Sequence, residues 1–274
     1  MDKRIDGFSK LSKEEKIDWI TRTHFKNSTS AASKLTSYWN SDPSLQKQHD
    51  EFIENTLTNF YMPLGVAPNF LINETLFTLP MVIEESSVVA AAGNAAKFWL
   101  NKGGFKTVVI DTLKVGQVHF LYKGNPKLLY AFFEKNKKNL LHATSGLTQK
   151  MELRGGGIVS LDLVSKTTAL PNYYQLNVRF KTADAMGANF INSCLESLAS
   201  TFENLAAKET FFMEKEASIE IVMSILSNYV PECLVKASVS CSVDEIEHQE
   251  GLSGKKFAEK IVQAVAIANC ETFR

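Results

Sequence analysis

Two carboxylates and two hydroxyls, Glu84-Glu85-Ser86-Ser87, join the apolar run Leu79-Pro80-Met81-Val82-Ile83 to the alanine-rich stretch Val88-Val89-Ala90-Ala91-Ala92. Carboxylates hold and transfer protons and serine hydroxyls bond polar substrates, so proton-transfer chemistry can sit at this junction. The pattern predicts a strand that delivers these groups to the start of a helix ending near Gly103-Gly104. A serine at the N-cap satisfies free backbone N–H groups, and the positive end of the helix dipole favours a negative charge beside it. A capped helix carrying two solvated acids fits the same residues.

A second candidate is Asp184-Ala185-Met186-Gly187-Ala188-Asn189, which follows a strand pattern at 173–180 and opens a helix. Such a turn lets backbone N–H groups face a phosphate or carboxylate while the aspartate accepts from a hydroxyl or amide. An N-capped helix without a ligand explains it as well. Arg154-Gly155-Gly156-Gly157 also invites a nucleotide reading. It precedes a strand, however, and does not match the strand-to-helix arrangement of a Rossmann site, so that fold is not supported.

The elements that must position these groups belong to a chain of 274 residues, 45% hydrophobic and 22% charged, the balance of a globular protein with one or two domains. Thirty basic and thirty acidic residues cancel, which argues against nucleic acid or an anionic membrane as the main partner. No run reaches the length of a membrane span and the N-terminus lacks the apolar core of a signal peptide, so a cytoplasmic location is expected. Cys194, Cys233, Cys241 and Cys270 are far apart and read as reduced. The five histidines are scattered, so no protein-bound metal is expected.

In chain order, Ser12 and Glu15 have capping-box spacing at the start of a helix, and helical patterns follow at 28–40 and 44–60, the latter with Phe52, Ile53 and Leu57 on one side. Residues 69–82 read as a hairpin around Asn73-Glu74, leading into the helix at 87–100. Small residues on several faces of that helix, Ala90 to Ala96, predict that it is buried and walls a site. Strands are expected at 106–111, 116–122, 157–164, 173–180 and 218–225, and helices at 126–141, 185–208 and 258–268. Lys135, Lys137 and Lys138 are read as a solvated face of the first of these helices. The alternation predicts an α+β unit with helices on one face of an antiparallel sheet, inserted at about 111–218 between the parts 1–110 and 219–274 of a larger domain.

Together, five stretches in order resemble the class II (soluble, prokaryotic) 3-hydroxy-3-methylglutaryl-coenzyme A (HMG-CoA) reductases. They are Gly7-Phe8-Ser9-Lys10-Leu11-Ser12, Ile53-Glu54-Asn55 leading to Met62-Pro63-Leu64-Gly65-Val66-Ala67, Pro80-Met81-Val82-Ile83-Glu84-Glu85, Arg154-Gly155-Gly156-Gly157 and Asp184-Ala185-Met186-Gly187-Ala188-Asn189. The resemblance implies a mainly helical large substrate-binding domain with an inserted ferredoxin-like, non-Rossmann dinucleotide-binding domain. It implies reduction of the HMG-CoA thioester to mevalonate and free coenzyme A with two nicotinamide hydrides, through a hemithioacetal and an aldehyde. Such chemistry needs an electrophile for the carbonyl oxygen, a proton source and an acid for the departing thiolate.

By resemblance Glu85 is the catalytic glutamate, expected to hold a proton or share one with a lysine, with Glu84 as the alternative. Ser87 falls where the family contacts the hydroxymethylglutaryl group, and Arg274 matches an arginine that binds the substrate carboxylate. Asp184, Met186, Gly187 and Asn189 fall at dinucleotide-binding positions. Ser160 stands where NADH-using relatives carry an aspartate against the ribose 2′-hydroxyl. A carboxylate repels a 2′-phosphate and a serine does not, so NADPH is expected ahead of NADH. The resemblance further implies a homodimer with its active site at the subunit boundary. The family's Thr-His-Asn-Lys-Gly segment, with the catalytic lysine, and later regions with an aspartate and a histidine fall after Arg274. The sequence is therefore expected to be a piece of a longer reductase, inactive by itself, or else a natural truncation. The competing reading is a non-catalytic module that binds coenzyme A esters, a dinucleotide or a protein partner.

Overall fold

The computed structural model describes residues 3–212, 218–246 and 253–270. The chain divides after Gly104 into two compact units. In residues 1–104 the first helix, α1 (Lys13–His24), starts at the expected capping box: the Glu15 N–H donates to Ser12 Oγ at 3.1 Å and the Ser12 N–H to Glu15 Oε2 at 2.7 Å. Helix α2 (Thr29–Thr36) is capped by Ser28 and α3 (Pro43–Asp50) by Asp42. Lys13 ties α1 to α3 through Asp50 at 2.7 Å, and its ammonium lies 4.3 Å from the centre of the Trp39 ring. Burial pushes the Asp50 carboxyl up, but donation from Lys13 and Gln46 outweighs it and holds the group below the ordinary carboxylate range.

Helix α3 ends at Asp50, well short of the helix expected over 44–60. Phe52, stacked on the His49 ring at 5.8 Å, and Ile53 are still 77% and 69% exposed, so the apolar side of that pattern buries little. A short helix without a packed face is not sustained by propensity alone. Strands β1 (Leu64–Ile72) and β2 (Thr75–Val82) form the expected hairpin. Ile72 pairs with Thr75 across Asn73 and Glu74, whose φ angles of 47° and 69° give the turn that follows strand twist. Helix α4 (Ser86–Leu100) packs on β1, where a Cβ at Gly65 would stand 3.7 Å from Val89 Cγ1. Among the residues of α4 only Ala96 is buried, so the expectation of a buried, small-residue helix fails. Ala90, Ala91 and Ala95 are exposed because the hairpin covers a single side.

In residues 105–274, β3 (Lys106–Thr112) pairs with β8 (Cys233–Ser238) as a two-stranded ribbon. Between them in sequence come β4 (Lys114–Tyr122), α5 (Pro126–Ala143), α6 (Ser145–Glu152), β5 (Gly157–Ser165), β6 (Tyr173–Lys181), α7 (Ala188–Ala206) and β7 (Ile219–Leu226). The four strands run antiparallel in the order β5-β6-β4-β7, the split βαβ arrangement of ferredoxin-like units. Strand β7, which lies beyond residue 218, is an edge strand of this sheet. The fold is thus α+β, as expected.

Strand alternation builds the core. Phe120 and Tyr122 of β4 and Leu176, Val178 and Phe180 of β6 point to one face, where Phe132 of α5 and Leu195 and Phe202 of α7 cover them. A Cβ at Gly116 would lie 2.7 Å from Leu195 Cδ1, so the missing side chain is what lets α7 approach β4. Lys135 pairs with Glu209 at 2.6 Å and Lys137 with Asp162 at 3.5 Å, so two of the lysines read as a solvated face hold ion pairs. Helix α6 and strand β8 are additions that periodicity did not announce. Helix α8 (Gly254–Cys270) buries none of its residues. Among the described residues no helix is long and apolar enough to cross a membrane.

Candidate functional site

The acidic junction begins with strain. Ile83 has a φ of 69°, a left-handed conformation that a β-branched residue adopts only at a cost, and it turns the chain out of β2. Glu84 and Glu85 follow, both exposed. Glu85, not a serine, is the N-cap of α4, and its side chain makes no capping bond. Its backbone carbonyl receives the Val88 and Val89 N–H groups at 3.0 and 3.2 Å. Its carboxylate accepts instead from Ser87 Oγ at 2.7 Å. The expected serine cap is therefore corrected: both serines lie inside the first turn, and the Ser87 hydroxyl is drawn to an anion rather than to the backbone. The result is a carboxylate with an attached hydroxyl donor, open to solvent at the positive end of a fifteen-residue helix. It can hold a proton and bond a polar ligand.

The second group lies wholly in residues 105–274. After β6, Thr182 is almost fully buried and folds the chain back: its Oγ1 donates to the Ala185 carbonyl at 2.6 Å, and the Ala185 N–H donates to the Thr182 carbonyl at 3.0 Å. Ala183 is left-handed with φ 49°, and Gly187, with φ 80°, is the N-cap of α7. A Cβ at Gly187 would collide with the Thr182 side chain, so the position needs glycine for both conformation and space. No side chain caps α7, which leaves its first N–H groups free for an anion. Asp184, Met186 and Asn189 are exposed around that opening, Met186 by 72%, and none of the three has a polar partner among the described residues. Thr182 was not singled out in the sequence. A threonine three residues before a carbonyl it can reach, at a strand end, is the signal that marks it.

The glycine run supports the same loop. Gly155 and Gly157 have φ angles of 81° and 116°, and a Cβ at Gly156 would strike the carbonyl of Lys181, the last residue of β6. The turn from α6 into β5 therefore packs on the strand end that feeds Thr182. Ser160, further along β5, pairs with Arg179 of β6, and its Oγ is buried without a hydrogen-bond partner among the described residues. Arg179 is held by Glu232 at 2.6 Å and Asp162 at 3.7 Å, and the bond to Glu232 raises its pKa further. The helix start at Gly187, without a side-chain cap, is a place where an anionic group can be received. Glu85 and Ser87 belong to the other compact unit, and Arg274 lies outside the described residues.

The model for hydroxymethylglutaryl-coenzyme A reductase matches residues 12–274 of this sequence, nearly its whole length. The chain belongs to that family. An HMG-CoA reductase of Archaeoglobus fulgidus is 29% identical over all 274 residues, which span 58% of the relative. A probable HMG-CoA reductase of Borreliella burgdorferi is 31% identical over 69% of this chain and 41% of its own. Among solved structures, the class II reductase of Streptococcus pneumoniae bound to NADPH in open conformations superposes with a TM-score of 0.71, at 29% identity, over 97% of this chain and 68% of that one. The chain thus spans little more than half the length of the first of these relatives.

Proposed function

We propose that this chain contributes the dinucleotide-binding unit and the glutamate-bearing junction of an NADPH-dependent HMG-CoA reductase, which converts the thioester to mevalonate and free coenzyme A. The observation that carries this reading is the family match across residues 12–274. In this reading Asp184, Met186, Gly187 and Asn189 line the dinucleotide site. The N-terminal N–H groups of α7 would hold its pyrophosphate, and Asp184 would accept from a ribose hydroxyl or an amide. Ser160 admits a 2′-phosphate that an aspartate would repel, which favours NADPH over NADH. The cofactor, when bound, supplies hydride. Glu85 holds and delivers a proton at the substrate carbonyl, Ser87 orients Glu85 and contacts the hydroxymethylglutaryl group, and Arg274 pairs with its carboxylate.

The division into 1–110, 111–218 and 219–274, with β7 completing the inserted sheet, belongs to the same reading. So do a cytoplasmic location and a homodimer whose active site lies at the subunit boundary. Exposed Phe52 and Phe60, at 77% and 87%, support an interface, because apolar surface of this kind is usually covered by protein. The second reading, a module that binds coenzyme A esters or a dinucleotide without turnover, is favoured by the exposure of Asp184 and Met186, which have no polar partner among the described residues. Two measurements on the protein, with any sequence that follows Arg274 in its reading frame retained, separate them. HMG-CoA-dependent oxidation of NADPH that is lost in Glu85→Gln supports the reductase, while NADPH binding without oxidation supports the module. A strong NADH preference in kcat/KM contradicts the role given to Ser160.

A further inference from the structure

The sheet and the ribbon of residues 105–274 are joined where the chain passes twice between them, at Leu113 between β3 and β4 and at residues 227–232 between β7 and β8. At that junction Lys114, the first residue of β4, meets Cys233, the first residue of β8, with Nζ 3.3 Å from Sγ, the two standing 119 positions apart in sequence. Both are half-buried. The other charges nearby are engaged: Arg179 with Glu232, and Lys181 with Asp111 at 3.7 Å. Lys114 makes no ion pair among the described residues, and its ammonium is directed at sulfur instead.

The remaining cysteines lack this arrangement. Cys194 is fully buried in the sheet core, and burial pushes its thiol up to about 11. Cys270 donates to the Ala266 carbonyl of its own helix, and Cys241 has no amine partner among the described residues. Cysteine chemistry with peroxides runs through the thiolate to a sulfenic acid, whose sulfur is then open to attack by a neighbouring thiol or nitrogen. At Cys233 the neighbouring nucleophile is an amine already in contact.

We propose that Cys233 and Lys114 form an oxidation-dependent covalent clasp, in which a hydroperoxide converts the non-covalent contact into a sulfur–nitrogen bond between β8 and β4. In the first step the Cys233 thiolate attacks the peroxide oxygen. An S–O bond forms, the O–O bond breaks, sulfur loses two electrons to the peroxide, and hydroxide leaves. That hydroxide takes a proton from the Lys114 ammonium and becomes water. In the second step the free amine attacks the sulfenic sulfur: the N–S bond forms, the S–O bond breaks, and the departing hydroxyl carries off a nitrogen proton as a second water. The clasp holds together both passages between ribbon and sheet. A dithiol reductant reverses it by attacking sulfur and returning the amine. This assignment does not depend on the reductase reading.

Mass spectrometry of the wild-type protein after mild hydrogen peroxide treatment tests it. The expected product is the Cys233 and Lys114 peptides joined and lighter by two hydrogens, with trypsin no longer cutting after Lys114 and cleavage restored by dithiothreitol. Lys114→Arg keeps the positive charge but lacks the attacking amine, so the joined species should vanish while Cys233 still oxidises. Recovery of Cys233 only as sulfinic acid or as a disulfide, or persistence of tryptic cleavage at Lys114 in the oxidised wild type, overturns the proposal. The decisive readout is made on the wild-type chain, so poor folding of the variant does not shield the idea.

Discussion

The four-stranded sheet and residues 1–104 reach order by opposite routes. The sheet closes its apolar face with α5 and α7 around fully buried Phe120, Phe133, Phe180 and Phe202. In residues 1–104 the buried apolar side chains among the described residues are Ile17, Ala67 and Ala96. Caps, turns and polar ties contribute much of the order there: the Ser12–Glu15 box, the Asn73-Glu74 turn, Lys13 on Asp50, and the Trp39 Nε1–H donating to the Leu57 carbonyl at 2.9 Å. A packed core holds geometry through many small contacts, whereas caps and turns set the ends of elements and leave their faces free.

The largest effect should come from the packed side. Phe120→Ala removes a ring that meets Phe202 at 5.3 Å between centroids and lies within the sheet core, and should cost about 3–5 kcal/mol of unfolding free energy. Phe52→Ala, at 77% exposure, should change stability by less than about 0.5 kcal/mol. Urea unfolding of both variants checks the contrast, and equal losses would erase the distinction between the regions.

The same contrast explains what the sequence made legible. Strands β4, β5, β6 and β7 and helices α5 and α7 followed from alternation and periodicity because tertiary burial selected the same residues that the patterns single out. The pattern at 44–60 misled because Phe52, Ile53 and Leu57 sit on one helical side yet bury little, so nothing extends α3 past Asp50. Small size was likewise a poor guide to burial in α4. At the candidate site, the placement of Asp184 and Gly187 on a strand-to-helix turn was readable from glycine and strand signals. The lock beneath it, Thr182, was not, because it depends on a hydroxyl reaching a carbonyl around a left-handed alanine. Nor did the sequence disclose that Ile83 bends the chain ahead of Glu85, since a left-handed turn is signalled by glycine or asparagine and a β-branched residue gives no such mark.

Gly187→Ala sharpens the comparison on the packed side, where a loop is held against a rigid core. The left-handed φ and the contact with Thr182 should together cost about 1–2 kcal/mol, and because the alanine cannot sit without moving the loop, NADPH affinity should fall at least about tenfold. Nucleotide fluorescence titration reads the affinity and thermal unfolding reads the stability. Unchanged binding would detach the cradle from Gly187.

On the capped side, Asp50→Asn should cost about 1 kcal/mol, because it replaces a charged acceptor of the Lys13 ammonium with a neutral one. The sign with pH follows from the direction of the shift. The folded group lies below its ordinary value of 3.8, so its stabilisation is fully present above that value and is lost as pH falls through the lower folded value. The difference in melting temperature between wild type and variant should therefore be constant near neutrality and shrink under acid. A difference that persists at low pH would assign the loss to packing rather than to charge.

The smallest effect belongs to the residue that joins capped structure to candidate chemistry. Ile83 is 70% exposed, so little burial opposes the cost of its left-handed φ. Asparagine adopts that conformation with less strain, so Ile83→Asn should stabilise the chain by about 0.5–1 kcal/mol. Because the variant keeps the same backbone turn, Glu85 should remain at the N-cap of α4 with Ser87 on its carboxylate, and any activity that depends on Glu85 should be retained. Greater stability with activity intact makes the strain incidental to the chemistry. Greater stability with activity lost would instead mean that the strained bend holds the glutamate in its working direction, a role that neither caps nor core supply.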